Sequence, residues 1–280
     1  MFVIEPWGAG YTERMTQSIR WLQSEIADRM LQKLDIVKLD PRDVLLIPDF
    51  PGAHAEFLSR RFPRMALHHA AEEGLSGIDL WRLRIARQWR SIFRGGSSIS
   101  LEVFQRTGRI GLPDNSVDLI FSNLLLQDLQ DPRMFIKECW RVLREGGLLT
   151  FSYLGPDTGK ELLGMELSGK LGLKPLLSAW DMHDMGDALL GAGFSDPVMD
   201  MEFLTLDYES DAVLLSDLQA LHLMQTSYVG QASSELPKKL TLELVYGHAW
   251  ALGKHLSKAQ NQLAYIDPNQ IKRKISTDSA

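Results

Sequence analysis

Residues 112–162 read LPDNSVDLIFSNLLLQDLQDPRMFIKECWRVLREGGLLTFSYLGPDTGKEL, and this stretch decides the fold. Pro113-Asp114-Asn115-Ser116 is a turn by its residue types. Val117–Ser122 follows as a short apolar run, which predicts a buried strand. Asp131-Pro132 then opens a helix through Leu143, with proline well placed in the first turn. Gly146-Gly147 closes it, and Leu148–Tyr153 is a second apolar strand. A strand, a helix and a strand in this order form a crossover unit with parallel strands.

Working outward, the same alternation continues in both directions. Upstream, Met15, Ile19, Leu22, Ile26, Met30 and Leu34 recur at spacings of three and four, predicting an amphipathic helix over 14–36. Asp40-Pro41 breaks that pattern. Strands are expected at 43–47, 65–69 and 98–104, and helices at 53–61 and 78–93. Downstream, a helix is expected over 181–192, ended by Gly193, and another over 211–224. Strands are expected at 198–208 and 240–246. The reading is an α/β three-layer sandwich, with helices on both faces of a mostly parallel sheet. Ligands of such sheets lie at the carboxyl ends of the strands, near the switch point. The expected organisation is one domain over residues 1–250. It carries an N-terminal helical segment (1–40), a helical insertion (156–195) and a loose polar tail (251–280).

Composition narrows the function classes. The 280 residues are 45% hydrophobic and 24% charged, as in ordinary globular proteins. A net charge of -6 argues against a general nucleic-acid binder. The lone Cys139 excludes an internal disulfide framework and a multi-cysteine zinc site, and fits a reducing cytoplasm. No apolar run approaches the ~18–20 residues of a membrane span, and the start lacks a signal-peptide pattern. His68 and His69 point to opposite faces of a strand, which disfavours a shared metal. Asp181, His183, Asp184 and Asp187 read as a helix cap and surface, so no metal site is expected.

The 112–162 block resembles the fourth strand, following helix and fifth strand of class I S-adenosylmethionine methyltransferases. It is most similar to the malonyl-acyl-carrier-protein O-methyltransferases of biotin synthesis. Residues 26–41 (IADRMLQKLDIVKLDP), 181–202 (DMHDMGDALLGAGFSDPVMDME) and 245–250 (VYGHAW) fit the same family. The resemblance implies a seven-stranded sheet, S-adenosylmethionine as cofactor, and methylation of a malonyl carboxylate on a carrier protein. It places Asn123, Gln127 and Tyr11 around the reaction space, with Asn123 near both cofactor and substrate. A capping or turn role for Asn123 is the alternative.

The departures from the family fall on the cofactor contacts. The family carries a strand ending in an acid, then a G-x-G-x-G loop. Here VLLIPDFPGA (44–53) places Leu46 at the acid, Pro48 and Phe50 at the first two glycines, and only Gly52 at the third. Asp49 lies between them. Proline fixes φ and removes an N–H donor. At the end of the second strand, His68 stands where an acid holds the ribose hydroxyls; Glu72 or Glu73 are the alternatives. Counting back from Leu112 puts Arg106, followed by Thr107, at the acid that holds the adenine amino group. Arginine only donates, and so does that amino group. Two lost charged-acceptor hydrogen bonds cost roughly 3–6 kcal/mol, which moves a micromolar cofactor to about millimolar or weaker.

Residues 82–94, RLRIARQWRSIFR, carry Arg82, Arg84, Arg87, Arg90 and Arg94 and no acid. Two readings stand: a surface that steers an acidic carrier protein, or a solvated face whose arginine stems cover core residues. Three functions remain open: an O-methyltransferase with a degraded cofactor site, a non-catalytic paralogue serving as a binding or regulatory module, and a pocket altered for an anionic ligand.

Overall fold

The computed structural model describes residues 10–49, 53–71, 96–162, 180–224, 236–254, 258–260 and 263–265. Strands β1 (Asp43–Asp49), β2 (Ala66–Ala71), β3 (Ser98–Ser100), β4 (Val117–Ser122), β5 (Leu143–Leu154), β6 (Ser195–Asp207) and β7 (Lys239–Ala251) form one sheet. Their order is β3-β2-β1-β4-β5-β7-β6. All neighbours are parallel except β7, which runs antiparallel to both β5 and β6. The strand order reverses between β1 and β4, so the crevice for a ligand opens at their carboxyl ends.

Two apolar layers cover this sheet. On one face Val44, Leu46, Leu119 and Phe121 pack with Ile26, Met30 and Leu34. Those three belong to α1 (Gly10–Lys33) and the 3-10 turn that continues it. Leu58 of α2 (Ala53–Arg61) and Leu214 and Leu218 of α6 (Asp211–Ala220) join them. On the other face Leu45, Ile47, Ile120 and Leu149 pack with Phe104 of α3 (Leu101–Thr107), with Phe135 and Cys139 of α4 (Pro132–Val142), and with Met185 and Leu189 of α5 (Met182–Gly191). Burial on both faces explains why β1 and β4 read as continuous apolar runs and not as alternating ones. Burial also pushes the Cys139 thiol well above its ordinary pKa, which suits a packing role.

Helix α1 is clamped to the far side of the sheet by charge. Arg29 Nη1 sits 2.7 Å from Glu202 Oε2 on β6, and Tyr246 of β7 donates to Glu202 Oε1 at 2.7 Å. Lys33 pairs with Asp200 and lies over the Tyr246 ring.

Several elements differ from expectation: β5 already begins at Leu143, so Gly146-Gly147 lie inside the strand instead of closing the helix, the 211–224 helix stops at Ala220, and β7 runs to Ala251. Ile99, Leu101 and Val103 alternate like a strand, yet β3 stops at Ser100. The Ser100 side chain accepts from Val103 N and caps α3, and Gly108 at φ 68° ends that helix. β1 runs two residues past Ile47, through Pro48 and Asp49, and Asp49 pairs with Ala71. The tail expected to be loose contains two short antiparallel strands, β8 (Lys258–Gln260) and β9 (Leu263–Tyr265). The basic segment 78–93 lies outside the described residues. No helix among those described is long and apolar enough to cross a membrane.

A candidate active site at the carboxyl edge of β4

Asn123 follows β4 directly and is fully buried. Its Nδ2 donates to the Gln23 carbonyl of α1 at 2.9 Å and to His54 Nε2 of α2 at 2.7 Å. Its Oδ1 accepts from Ser152 Oγ of β5 at 2.7 Å. Ser152 Oγ in turn accepts from Leu124 N at 3.2 Å. This last bond steadies a backbone at φ 52°, in the left-handed region that a leucine rarely adopts. One amide therefore ties four elements together at the switch point.

His54 must be neutral to accept from Asn123. Burial drives its pKa down to about 4, against a smaller opposing effect of the Gln23 backbone. The ring also meets Phe121 edge-on, with centroids 6.3 Å apart. Both amide hydrogens of Asn123 are spent within the protein. Its contribution is to hold α1 closed over the edge of β4, and only its Oδ1 keeps accepting capacity for a ligand.

Gln127 sits on the 3-10 turn Leu126–Asp128 just beyond. Its Nε2 donates to the Leu124 carbonyl at 2.8 Å. The residue is buried, and its Oε1 has no hydrogen-bond partner among the described residues. Gln127 lines a cavity of about 40 Å³ with Gln23, Leu124, Asp128, Ala220, Leu221 and His222. His222 Nδ1 lies 3.0 Å from Asp128 Oδ2.

The remaining sequence-expected positions are dispersed. Pro48 and Asp49 are strand residues, the Ile47–Pro48 peptide is cis, and Asp49 is buried. Phe50 and Gly52 lie outside the described residues, as do Glu72 and Glu73. Tyr11 lies on α1, with its side chain outside the described residues. His68 is not at the carboxyl edge. It sits mid-strand, its Nδ1 2.9 Å from Ser97 Oγ and its Nε2 3.5 Å from Asp43 Oδ1, at the amino end of β1. β2 ends instead in Ala70-Ala71. Arg106 and Thr107 are exposed in the last turn of α3, a full helix beyond the end of β3. Thr107 Oγ1 is used locally, donating to Val103 O and accepting from Arg109 N. Asp181 caps α5, accepting from the His183 and Asp184 N–H groups. His54, Gln23 and Ser152 carried no motif. Their separations from Asn123 are 69, 100 and 29 residues, so only the fold shows them as neighbours.

Comparison with known proteins adds the family. A family model described as a methyltransferase domain matches residues 62–151. A malonyl-acyl-carrier-protein O-methyltransferase of Gallionella capsiferriformans is 36% identical over 254 residues, covering 82% of this chain and 83% of its own. The chain belongs to the malonyl-acyl-carrier-protein O-methyltransferase family. A member from Coxiella burnetii is 32% identical over 267 residues, covering 89% of this chain and 87% of its own. In fold, a Bacillus halodurans C-125 protein described as a methyltransferase superposes with a TM-score of 0.56 at 14% identity. It covers 81% of this chain and 99% of its own.

Held as the family resemblance implies, the cofactor needs backbone N–H groups after β1 and acids at the positions that His68 and Arg106 take here. Pro48 has no N–H. His68 lies mid-strand in β2, and Arg106 is exposed in the last turn of α3. The rest of that pose falls on Phe50, Gly52, Glu72 and Glu73, which lie outside the described residues.

Proposed function

We propose that this chain is a biotin-synthesis-type O-methyltransferase whose substrate is the malonyl carboxylate of a carrier-protein thioester, with a degraded S-adenosylmethionine site. The observation that carries this reading is the intact edge of β4, where Asn123 fixes α1, α2 and β5 around the reaction space while Gln127 presents an unused acceptor. S-adenosylmethionine is the methyl donor such an enzyme uses. The chain's own part is positioning and exclusion of water, which methyl transfer needs more than an acid–base pair. Closure of α1 over Asn123 supplies the exclusion. The carrier protein is the partner, and Arg82, Arg84, Arg87, Arg90 and Arg94 supply the steering charge, so binding weakens as salt rises.

A second reading has one specific observation in its favour. β1 continues as strand through Pro48 and Asp49, where the family's loop begins. A chain that has lost the cofactor altogether would serve as a binding or regulatory module. Titration calorimetry with S-adenosylmethionine and S-adenosylhomocysteine to millimolar concentration, followed by a malonyl-carrier methylation assay, separates the two. Weak saturable binding with slow methyl transfer is the expected result. No heat and no product would establish the second reading.

A further inference from the structure

A serine, a histidine and an aspartate meet at the amino margin of the sheet. His68 of β2 lies between Ser97, the residue before β3, and Asp43, the first residue of β1. Its Nδ1 is 2.9 Å from Ser97 Oγ, and its Nε2 is 3.5 Å from Asp43 Oδ1. The carboxylate beside Nε2 sets the tautomer. Nε2 carries the hydrogen and donates to Asp43, which leaves Nδ1 to accept from the Ser97 hydroxyl. Asp43 is itself held in place. Its Oδ2 accepts from Arg144 Nη1 at 2.9 Å, and the same nitrogen donates to Asp118 Oδ1 at 2.7 Å. Asp118 Oδ2 accepts in turn from the N–H groups of Arg42 and Asp43. The orienting carboxylate therefore keeps its position while the ring takes up and returns a proton.

Access is divided as a nucleophile and its base require. The His68 side chain is only 16% exposed, whereas Ser97 is open to solvent. Ser97 O accepts from His69 N at 3.0 Å, which fixes the backbone that carries the hydroxyl. Ser98 is the residue opposite His69, so its N–H turns away from β2 to the outer side of β3. That donor stands one residue past the hydroxyl, the position from which acyl-transfer sites draw an oxyanion contact. Asn123 lies at the carboxyl end of these parallel strands and this array at the amino end, so the two are separate. The geometry points to Ser97 as the nucleophile of a second, acyl-transfer site, with His68 as general base, Asp43 as positioning residue and small carboxylic esters as substrates. Ser97 and Ser98 are both exposed, and a long acyl chain would remain in water there. The Ser97 oxygen attacks the ester carbonyl, and its proton passes to His68 Nδ1. The alcohol leaves with that proton, and the acyl group stays on Ser97. Water then attacks the acyl-serine and gives a proton to Nδ1, and Ser97 leaves with that proton as the free acid forms.

The test uses the full chain, an alkyl fluorophosphonate and p-nitrophenyl acetate. The fluorophosphonate should phosphonylate Ser97 with release of fluoride, read by intact mass and peptide mapping. p-Nitrophenyl acetate should turn over, with acetyl on Ser97 trapped by an acid quench. Ser97→Ala removes one exposed hydroxyl; it should abolish the label at that position and lower ester turnover about tenfold or more. His68→Gln should slow labelling about a hundredfold or more. Should that variant fold poorly, the wild-type pH profile decides: labelling should rise with pH and then level off, as when a ring nitrogen loses its proton. A rate that climbs with hydroxide and reaches no plateau overturns the proposal. So does a fluorophosphonate that leaves Ser97 unmodified, or ester turnover that Ser97→Ala does not change.

Discussion

His54 Nε2 and Asn123 Nδ2 lie 2.7 Å apart in a buried contact that joins the start of α2 to the end of β4. The contact requires an unprotonated Nε2, so it links the closure of the site to pH.

The first prediction follows from that linkage. Burial lowers the folded-state pKa of His54 from 6.5 to about 4. The unfolded chain therefore takes up a proton near pH 6.5 that the folded chain refuses until about pH 4. This stability is fully present above pH 6.5 and is lost as pH falls towards 4, in all about 3 kcal/mol. His54→Gln keeps an acceptor for Asn123 and removes the titration. Urea unfolding at pH 7.5 and 4.5 should show the wild type losing about 2–3 kcal/mol more than this variant. Equal losses would refute the neutral, buried ring.

Asn123→Asp tests the same node from the other side. The substitution replaces the donor to Gln23 O and His54 Nε2 with an acceptor, leaving two buried acceptors unmet. The expected cost is about 2–4 kcal/mol. Ser152→Ala removes one donor to Asn123 Oδ1 and one acceptor for Leu124 N, and should cost about 1–3 kcal/mol. Limited proteolysis should cut α1 faster in Asn123→Asp than in the wild type. Unchanged cleavage would mean that α1 is held by its Arg29 and Lys33 clamps alone.

Gly155, just beyond β5, touches the carboxylate of Glu243. A Cβ there would lie 2.4 Å from Glu243 Cδ and 2.7 Å from both its oxygens. Glu243 is buried, and its Oε2 accepts from Asp157 N at 2.6 Å, so it has no open water to swing into. Gly155→Ala should therefore destabilise by about 1–3 kcal/mol. The same change in a Glu243→Ala background should cost clearly less, because the clash is gone. Equal costs in thermal or urea unfolding would place the strain elsewhere.

The sheet was legible because its strands are apolar on both faces and its helices carry strong boundary signals. The turn Pro113–Ser116 marks the start of Val117–Ser122, which is β4 to the residue, and the expected bounds of Ala53–Arg61 are those of α2. β3 was overrun because Ile99, Leu101 and Val103 mimic a period of two, and the Ser100 cap outweighed that pattern. His68 was placed at a ligand edge from its order in sequence. The pairing of Asp43 with Ala66 and of Leu45 with His68 sets it mid-strand. Gln127 and Asn123 were reachable from the motif after β4. Their partners were not, because His54, Gln23 and Ser152 meet Asn123 only across the folded layers.

The last prediction concerns the lost cofactor contacts. Pro48 takes an N–H donor out of the position after β1, and Phe50 puts a ring where the resemblance places a glycine. Glycine at both positions restores the donor, removes the ring and permits positive φ. One recovered hydrogen bond to a charged group contributes about 1.5–3 kcal/mol, which is roughly ten- to a hundredfold in affinity. Pro48→Gly with Phe50→Gly should thus tighten S-adenosylmethionine at least tenfold in titration calorimetry, and S-adenosylhomocysteine in parallel. The double variant should also lose some stability, since glycine weakens the strand that β1 forms through Asp49. A stable double variant with unchanged affinity would move the defect to the other two departures, His68 and Arg106.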